Sequence, residues 1–297
     1  MTSVPSQHVP VLAAEIVEWL RPTAGQTIVD GTLGGGGHTR LLAEAVGPSG
    51  VVIGVDRDPA AVESAAARLP GLNVRAVEGN YSDLPELLAA LDVETVDGIV
   101  LDLGYSSDQL ADVERGFSFH SEGPLDLRFD TTRGVPAWKL IERLSAEHLA
   151  DLIFKYGEER YSRRIARHIV ESRRTTPIKT AAEMAKAIRQ SVPRFRDERI
   201  DPATRTFQAL RIAVNDELKW LEVALRRLPG CLRPGGRIAV ISFHSLEDRL
   251  VKEAFRENAM LDVCTRRPVR PGEAEVAVNP RASSAKLRVA ERKNDAT

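Results

Sequence analysis

Cysteine is scarce in this chain. Cys231 and Cys264 are its only two, far apart and in no paired motif. Their number argues against a disulfide framework or a zinc site and fits a reducing cytoplasm. Long hydrophobic runs are also missing. The longest are strand-sized, well short of the roughly 20 apolar residues of a membrane-spanning helix. Residues Met1 to His8 hold neither a basic cluster nor an apolar run, so no secretory signal is expected. No internal repeat is visible, and neither sign of charge dominates, the net being −1. What is present suffices for one large domain or two modest ones: 297 residues, 43% of them hydrophobic.

The near-zero net charge hides an uneven distribution. Residues 1–107 carry 5 basic and 14 acidic side chains, whereas residues 155–211 carry 15 basic and 7 acidic. The tail 264–297 is basic again, 8 against 4. Such asymmetry lets one region attract phosphate while the whole stays neutral, although charge-rich helices are also simply solvated faces.

Residues 1–107 alternate between helix and strand signals, the pattern of a parallel sheet. Pro10 to Leu20 is an amphipathic helix with Leu12, Ile16, Val17 and Leu20 on one stripe. Strands are expected at Thr27–Val29, Val51–Val55, Val74–Val77 and Gly98–Leu103. Asp58-Pro59 caps and opens one helix, and Ser82 is the expected cap of another from Leu84 to Leu91. The alternation then stops. A glycine- and charge-rich loop follows Asp108, and from about Pro136 to Arg205 there is helix signal without a convincing strand. Ser145 caps one helix, Gly157 breaks it from the next (Glu158 to Arg173), and Thr180-Ala181-Ala182-Glu183 is a capping box. Pro193 to Pro202 is a basic connector, and a long helix is expected from Ala203 to Leu228. Pro234-Gly235-Gly236 then turns into a fifth strand, Arg237–Ser242, Ser245 and Asp248 start another helix, and Lys286–Ala290 is a last strand. The expected organisation is a core of residues 1–107 and 206–297, interrupted by an all-helical insertion, 108–205.

The chemistry gathers at strand ends. The first strand runs into Asp30-Gly31-Thr32-Leu33-Gly34-Gly35-Gly36-Gly37-His38, and the second ends in Asp56. A strand, a glycine loop, a helix and a second strand ending in an acid form a site for a nucleoside-containing cofactor, the acid accepting ribose hydroxyls. Asp30 before the glycines would repel a pyrophosphate but suits a cationic amino-acid ligand such as the methionine part of S-adenosylmethionine. A glycine-rich turn with no ligand is the bland alternative. Asp102 ends the fourth strand and faces the same crevice, since ligands of open α/β sheets bind at the carboxyl ends of strands. Asp102 is otherwise an ordinary turn residue. The fifth strand delivers His244, a proton carrier by its chemistry, while Ser245 reads as a helix cap. Asn80 and Tyr81 can flank an adenine, Gln109 can reach the cofactor, and His38 is either a ligand contact or a packing residue.

These motifs, in this order, resemble the RsmH (MraW) family. The likeness runs through His8–Leu12, Asp30–His38, Asp56–Pro59, Leu101–Gly104, Arg115–Phe119, Gly123–Asp126, Tyr156–Glu159, Arg205–Ala209, Phe243–Asp248 and Asn279–Arg281. It implies a Rossmann-like class I S-adenosylmethionine-dependent methyltransferase sheet of α/β class, carrying a helical insertion for substrate recognition. It implies methylation of the N4 amine of a cytosine in the decoding region of 16S ribosomal RNA, within an assembled or nearly assembled small subunit. It also implies cofactor contacts at Gly36, Gly37, His38, Asp56, Tyr81, Asp102 and Gln109. The chain departs from the family pattern at Tyr81 and Tyr105, where phenylalanine and valine are expected, at Asp108 in place of proline, and in a short segment 259–272.

A cytosine amine is a poor nucleophile because its lone pair is delocalised into the ring. It needs an acceptor for its N–H groups. Asp102, Tyr105 and His244 are the catalytic candidates, with Asp102-Leu103-Gly104-Tyr105 at the position where related amino-methyltransferases carry their acid or amide. A base entering this pocket must leave its stack. Arg163, Arg164, Arg167, Arg173 and Arg174 are the candidate phosphate contacts, with Arg163, Arg167 and Arg174 at helical spacing. The competing readings are an amino-methyltransferase acting on another RNA or on DNA, an NAD-dependent oxidoreductase, and a non-catalytic RNA-binding scaffold.

Overall fold

The computed structural model describes residues 10–193 and 201–294. The reading of Met1 to His8, the start of the His8–Leu12 motif and most of the Pro193–Pro202 connector lie outside the described residues. The chain orders as α1 (Ala13–Leu20), β1 (Thr27–Asp30), α2 (Gly37–Val46), β2 (Val51–Asp56), α3 (Pro59–Arg68), β3 (Val74–Glu78), α4 (Leu84–Ala90) and β4 (Val96–Asp102). A helical stretch follows: α5 (Ser107–Ala111), α6 (Ala137–Arg143), α7 (Ala146–Gly157), α8 (Ser162–Ser172), α9 (Ala181–Ser191) and α10 (Ala203–Asn215). The last elements are α11 (Glu217–Arg227), β5 (Leu232–Ser242), α12 (Ser245–Glu257), β6 (Leu261–Val263), α13 (Glu273–Val278) and β7 (Lys286–Arg292).

The strands form one seven-stranded sheet in the order β3-β2-β1-β4-β5-β7-β6. The first five strands in this order are parallel, and β7 runs antiparallel to both β5 and β6. The strands are apolar on both faces because both faces are covered. Val29, Ile53, Ile99, Leu101 and Val240 pack on one side, and Ile28, Val52, Val100, Ala239 and Ile241 on the other. The chain order reverses at β1, whose neighbours are β2 and β4. In open α/β sheets such a reversal is where ligands bind, in the crevice outside the carboxyl ends of the strands, here those of β1 and β4.

The chain divides into two compact units. One comprises the residues through Gly104 and those from Leu218 onward; the other is Tyr105–Glu217. The second crossing therefore falls later than the 205/206 boundary expected from sequence. The reason is local. The expected helix from Ala203 to Leu228 is two helices, broken at Asp216, which adopts φ 51° and ψ 36°. Asn215 fixes the break: its side-chain amide donates to Leu127 O (2.7 Å) and its Oδ1 accepts from Phe129 N (2.8 Å). Those bonds, and the packing of Phe207 and Leu210 among α6–α9, tie α10 to the helical unit. Tyr105, Phe117 and Phe129 form an offset stack in this unit, with ring centroids 5.1 and 5.9 Å apart.

Three other local expectations change. Ser82 is buried in a short 3-10 turn capped by Asn80, and α4 has no side-chain cap. β5 pairs from Leu232 and bulges through Pro234–Gly236, because Val96 and Gly98 of β4 pair with Leu232 and Arg237. The segment 259–272 supplies β6, a three-residue edge strand too short to show a period.

Candidate active site

Asp30 ends β1 and is 1% exposed. Its Oδ1 accepts the Thr32 N–H (3.1 Å) and lies 3.3 Å from Thr32 Oγ1, and its Oδ2 accepts the Thr39 hydroxyl (2.7 Å). Thr32 Oγ1 in turn accepts the Asp102 N–H at 2.7 Å. Asp30 therefore organises the glycine loop and ties it to β4, with both oxygens engaged inside the protein. Sequence reading offered Asp30 for a cationic ligand and missed the two threonines; the signal was an Asp with a Thr two residues on, the pattern of an Asx turn. Gly36 precedes α2 at φ 79°, a conformation that favours glycine, and Gly37 is the first helical residue. The start of α2 thus follows the end of β1 after a short loop, and helix N-termini favour carboxylates and phosphates.

Asp56 ends β2. Its Oδ2 accepts the Gly34 N–H (2.7 Å) and its Oδ1 the Asp58 N–H (2.9 Å). Burial pushes its carboxyl up to about 6 despite these bonds, and Asp58 and Asp30 add to the rise. Each oxygen keeps acceptor capacity beyond its backbone donor.

Asp102 ends β4. Its Oδ2 lies 3.6 Å from His38 Nδ1, and its Oδ1 is buried with no hydrogen-bond partner among the described residues. Burial pushes this carboxyl up to about 6; His38 is the strongest opposing influence, Asp30 and Glu247 raise it, and Arg281 lowers it. His38 is 5% exposed, with Nε2 2.9 Å from the Val11 carbonyl. Tyr81 begins the 3-10 turn after β3 and packs, partly buried, against the sheet core.

The remaining candidates have structural duties that the sequence did not reveal. His244 is the N-cap of α12: its Nδ1 accepts the Glu247 N–H (3.3 Å), and the Glu247 carboxylate accepts from the His244 N–H. The capping box is therefore His244 with Glu247, and Ser245 is the first helical residue rather than the cap. Gln109 closes the capping box of α5, its Oε1 accepting the Ser106 N–H (3.0 Å). Tyr105 stacks on Phe117, with the Arg211 guanidinium 5.2 Å from its ring centroid. Gln109 and Tyr105 both belong to the helical unit.

Among the candidate phosphate contacts, Arg163, Arg164, Arg167 and Arg174 are exposed. Arg173 is not one of this set. Its guanidinium donates to the Ile141 carbonyl and to Leu144 O (2.7 Å), closing the C-terminal end of α6. Arg174 lies beyond the last residue of α8, so it does not continue the stripe of Arg163 and Arg167. Glu159, just before α8, is buried; its Oε1 accepts the Tyr161 N–H (2.8 Å), and Arg205 lies 4.0 Å away. Sequence reading missed Phe154, which is 64% exposed on α7. Lys155 lies 5.0 Å from the Tyr156 ring and Arg160 4.6 Å from the Tyr161 ring.

The crevice residues fit S-adenosylmethionine. A buried, unpartnered acceptor at Asp102 and carboxyls raised by burial at Asp56 and Asp102 are relieved by a ligand that brings positive charge and hydroxyl or amine donors. Asp56 would hold the ribose, the glycine loop and the start of α2 the amino-acid part, and Tyr81 the base. Among the described residues no helix is long and apolar enough to cross a membrane.

Comparison with known proteins agrees with this chemistry. Residues 5–293 match the MraW methylase family. A ribosomal RNA small subunit methyltransferase H from Deinococcus radiodurans is 54% identical over 286 residues, covering 96% of this chain and 89% of that protein. Proteins of the same name from Rhodopirellula baltica and Geobacter sulfurreducens are 50% and 51% identical. The first covers 97% of this chain and 92% of its own length; the second covers 96% and 98%.

Proposed function

The chain belongs to the MraW methylase family, and from that premise we propose that it methylates the N4 amine of a cytosine in the decoding region of small-subunit ribosomal RNA. It is a methyltransferase whose cofactor is S-adenosylmethionine. Family membership sets aside the oxidoreductase and the scaffold. The observation that carries the amine as target is Asp102: a buried carboxylate oxygen at the β1/β4 reversal, with no partner among the described residues.

Bound in the crevice, the cofactor supplies an electrophilic methyl group. The amine that takes it must shed one proton. Asp102 Oδ1 accepts an amine N–H, concentrates the lone pair on nitrogen and receives the proton. The reaction therefore needs Asp102 ionised. Burial excludes the water that would otherwise compete for that oxygen.

The helical unit is the recognition element. Exposed Arg163, Arg164, Arg167 and Arg174 neutralise phosphates. Exposed Phe154, next in sequence to Lys155 and Tyr156, offers a face on which an unpaired base stacks. The names of the relatives support the small-subunit substrate.

The test is transfer of labelled methyl groups from S-adenosylmethionine into small subunits from cells lacking this enzyme, followed by nucleoside analysis. The expected product is N4-methylcytidine. Label in any other nucleoside, or transfer to DNA in preference to small subunits, would contradict the reading.

A further inference from the structure

We infer that His38 is a positioning residue: clamped between the Val11 carbonyl and the Asp102 carboxylate, its imidazole holds Asp102 in the amine-accepting form rather than contacting the cofactor. The inference rests on the methyl-transfer reading for its functional consequence, and on geometry alone for the clamp.

Each ring nitrogen of His38 faces one protein oxygen. Nε2 lies 2.9 Å from the Val11 carbonyl, which can only accept, so Nε2 carries a hydrogen. Nδ1 then faces Asp102 Oδ2 at 3.6 Å. A bare Nδ1 would set its lone pair against those of the carboxylate; a proton on Nδ1 turns that repulsion into an attraction. With the ring 5% exposed and both nitrogens directed at the protein, no ring nitrogen is left to bind a ligand. Asp102 has two oxygens with two duties: Oδ2 toward His38, and buried Oδ1 without a partner among the described residues. The histidine holds one oxygen so that the other keeps its direction.

The surroundings make His38 the natural support. Asp102 feels Asp30 from β1, Glu247 from α12, Arg281 from the turn before β7 and His38 from α2. The first two oppose its ionisation and the last two favour it, His38 more than Arg281. Burial alone works against the carboxylate form. Removing the imidazole leaves Arg281 as the cation among these four neighbours.

The clamp is tested with His38→Gln and His38→Asn. Glutamine places its amide nitrogen near the position of Nε2, keeping the Val11 bond and losing the Asp102 contact. Asparagine places its amide nitrogen near the position of Nδ1 and restores a donor to Asp102. The first measurement is carboxyl-carbon NMR titration of Asp102 in the cofactor-free protein. The wild-type midpoint is expected at about 6. In His38→Gln it rises by about one to three units, the effect of losing an opposite charge at this range, and His38→Asn falls between.

The second measurement is single-turnover methyl transfer to small subunits at saturating cofactor, against pH. The acidic limb for His38→Gln moves up by the same amount. A two-unit shift gives a deficit of about tenfold at pH 7, shrinking at higher pH. His38→Asn recovers part of the rate. The calorimetric Kd for S-adenosylmethionine above the titration range stays near the wild-type value in both variants. An unmoved Asp102 titration, a deficit constant with pH, or a loss confined to cofactor affinity would each overturn the inference. If His38→Asn does not fold, His38→Gln decides alone through Asp102's titration; if His38→Gln does not fold, His38→Ala, which also removes the Asp102 contact, takes its place in the same titration. Failure of the wild type to methylate small subunits would instead refute the substrate reading, and the titration would still decide the clamp.

Discussion

At the ends of β2 and β4, Asp56 and Asp102 are folded into positions that oppose their own ionisation, each carboxyl being pushed up to about 6 from 3.8. The native state therefore binds protons more tightly than the unfolded chain between about pH 4 and 6. The contribution of these two groups to the stability of the cofactor-free protein is greatest below that window and falls as pH rises through it. Asp102→Asn removes the ionisation while keeping the shape. It should stabilise the cofactor-free protein at pH 7.5 by about 1–3 kcal/mol, read by denaturant unfolding, while lowering methyl transfer by about 10²–10⁴-fold. A near-normal single-turnover rate would show that the acid is not needed for chemistry. Asp56→Ala should weaken S-adenosylmethionine binding by about 1.5–3 kcal/mol in calorimetry, the cost of lost bonds to a charged acceptor. Both acids were legible in sequence because a strand end fixes where a residue sits. His244 and Arg173 were not. Whether a histidine caps a helix, or an arginine reaches back to Ile141 and Leu144, depends on backbone geometry that residue type does not encode.

At the scale of elements, periodicity located the apolar strands and most helices, because each is amphipathic or buried on both faces. It failed where tertiary contacts override local signal. The break at Asp216 is imposed by Asn215 binding Leu127 and Phe129, more than eighty residues away in sequence. One contact between elements gives a sharp prediction. A Cβ on Gly157 would lie 2.5 Å from the Arg205 carbonyl oxygen, so α7 and α10 approach backbone to backbone. Gly157→Ala should destabilise the protein by about 1–3 kcal/mol through overpacking. Unchanged unfolding would mean that the two helices separate easily. For α8 and the turn after it, the expected outcome concerns salt. Removing the charges of Arg163, Arg167 and Arg174 should lower the log–log salt slope of RNA binding by about 0.7–0.9 per true phosphate contact. An unchanged slope would make this face merely solvated and move the search to the basic tail after Cys264.

At the scale of the whole molecule, the uneven charge follows the division into units in part: the basic tail 264–297 shares a unit with the acidic stretch, and the basic stretch 155–211 lies in the other. The parallel sheet that carries Asp30, Asp56 and Asp102 includes the acidic stretch, and the helical unit holds the basic stretch 155–211. The same triple arginine variant should therefore leave S-adenosylmethionine affinity unchanged. The measurement that tests the central claim most directly is mapping of N4-methylcytosine in small-subunit ribosomal RNA from cells with the wild-type protein, without it, and with Asp102→Asn in its place. The modified base should appear at one decoding-region cytosine with the wild type and be missing in the other two. Modification at the same level without the protein, or with Asp102→Asn, would contradict the account.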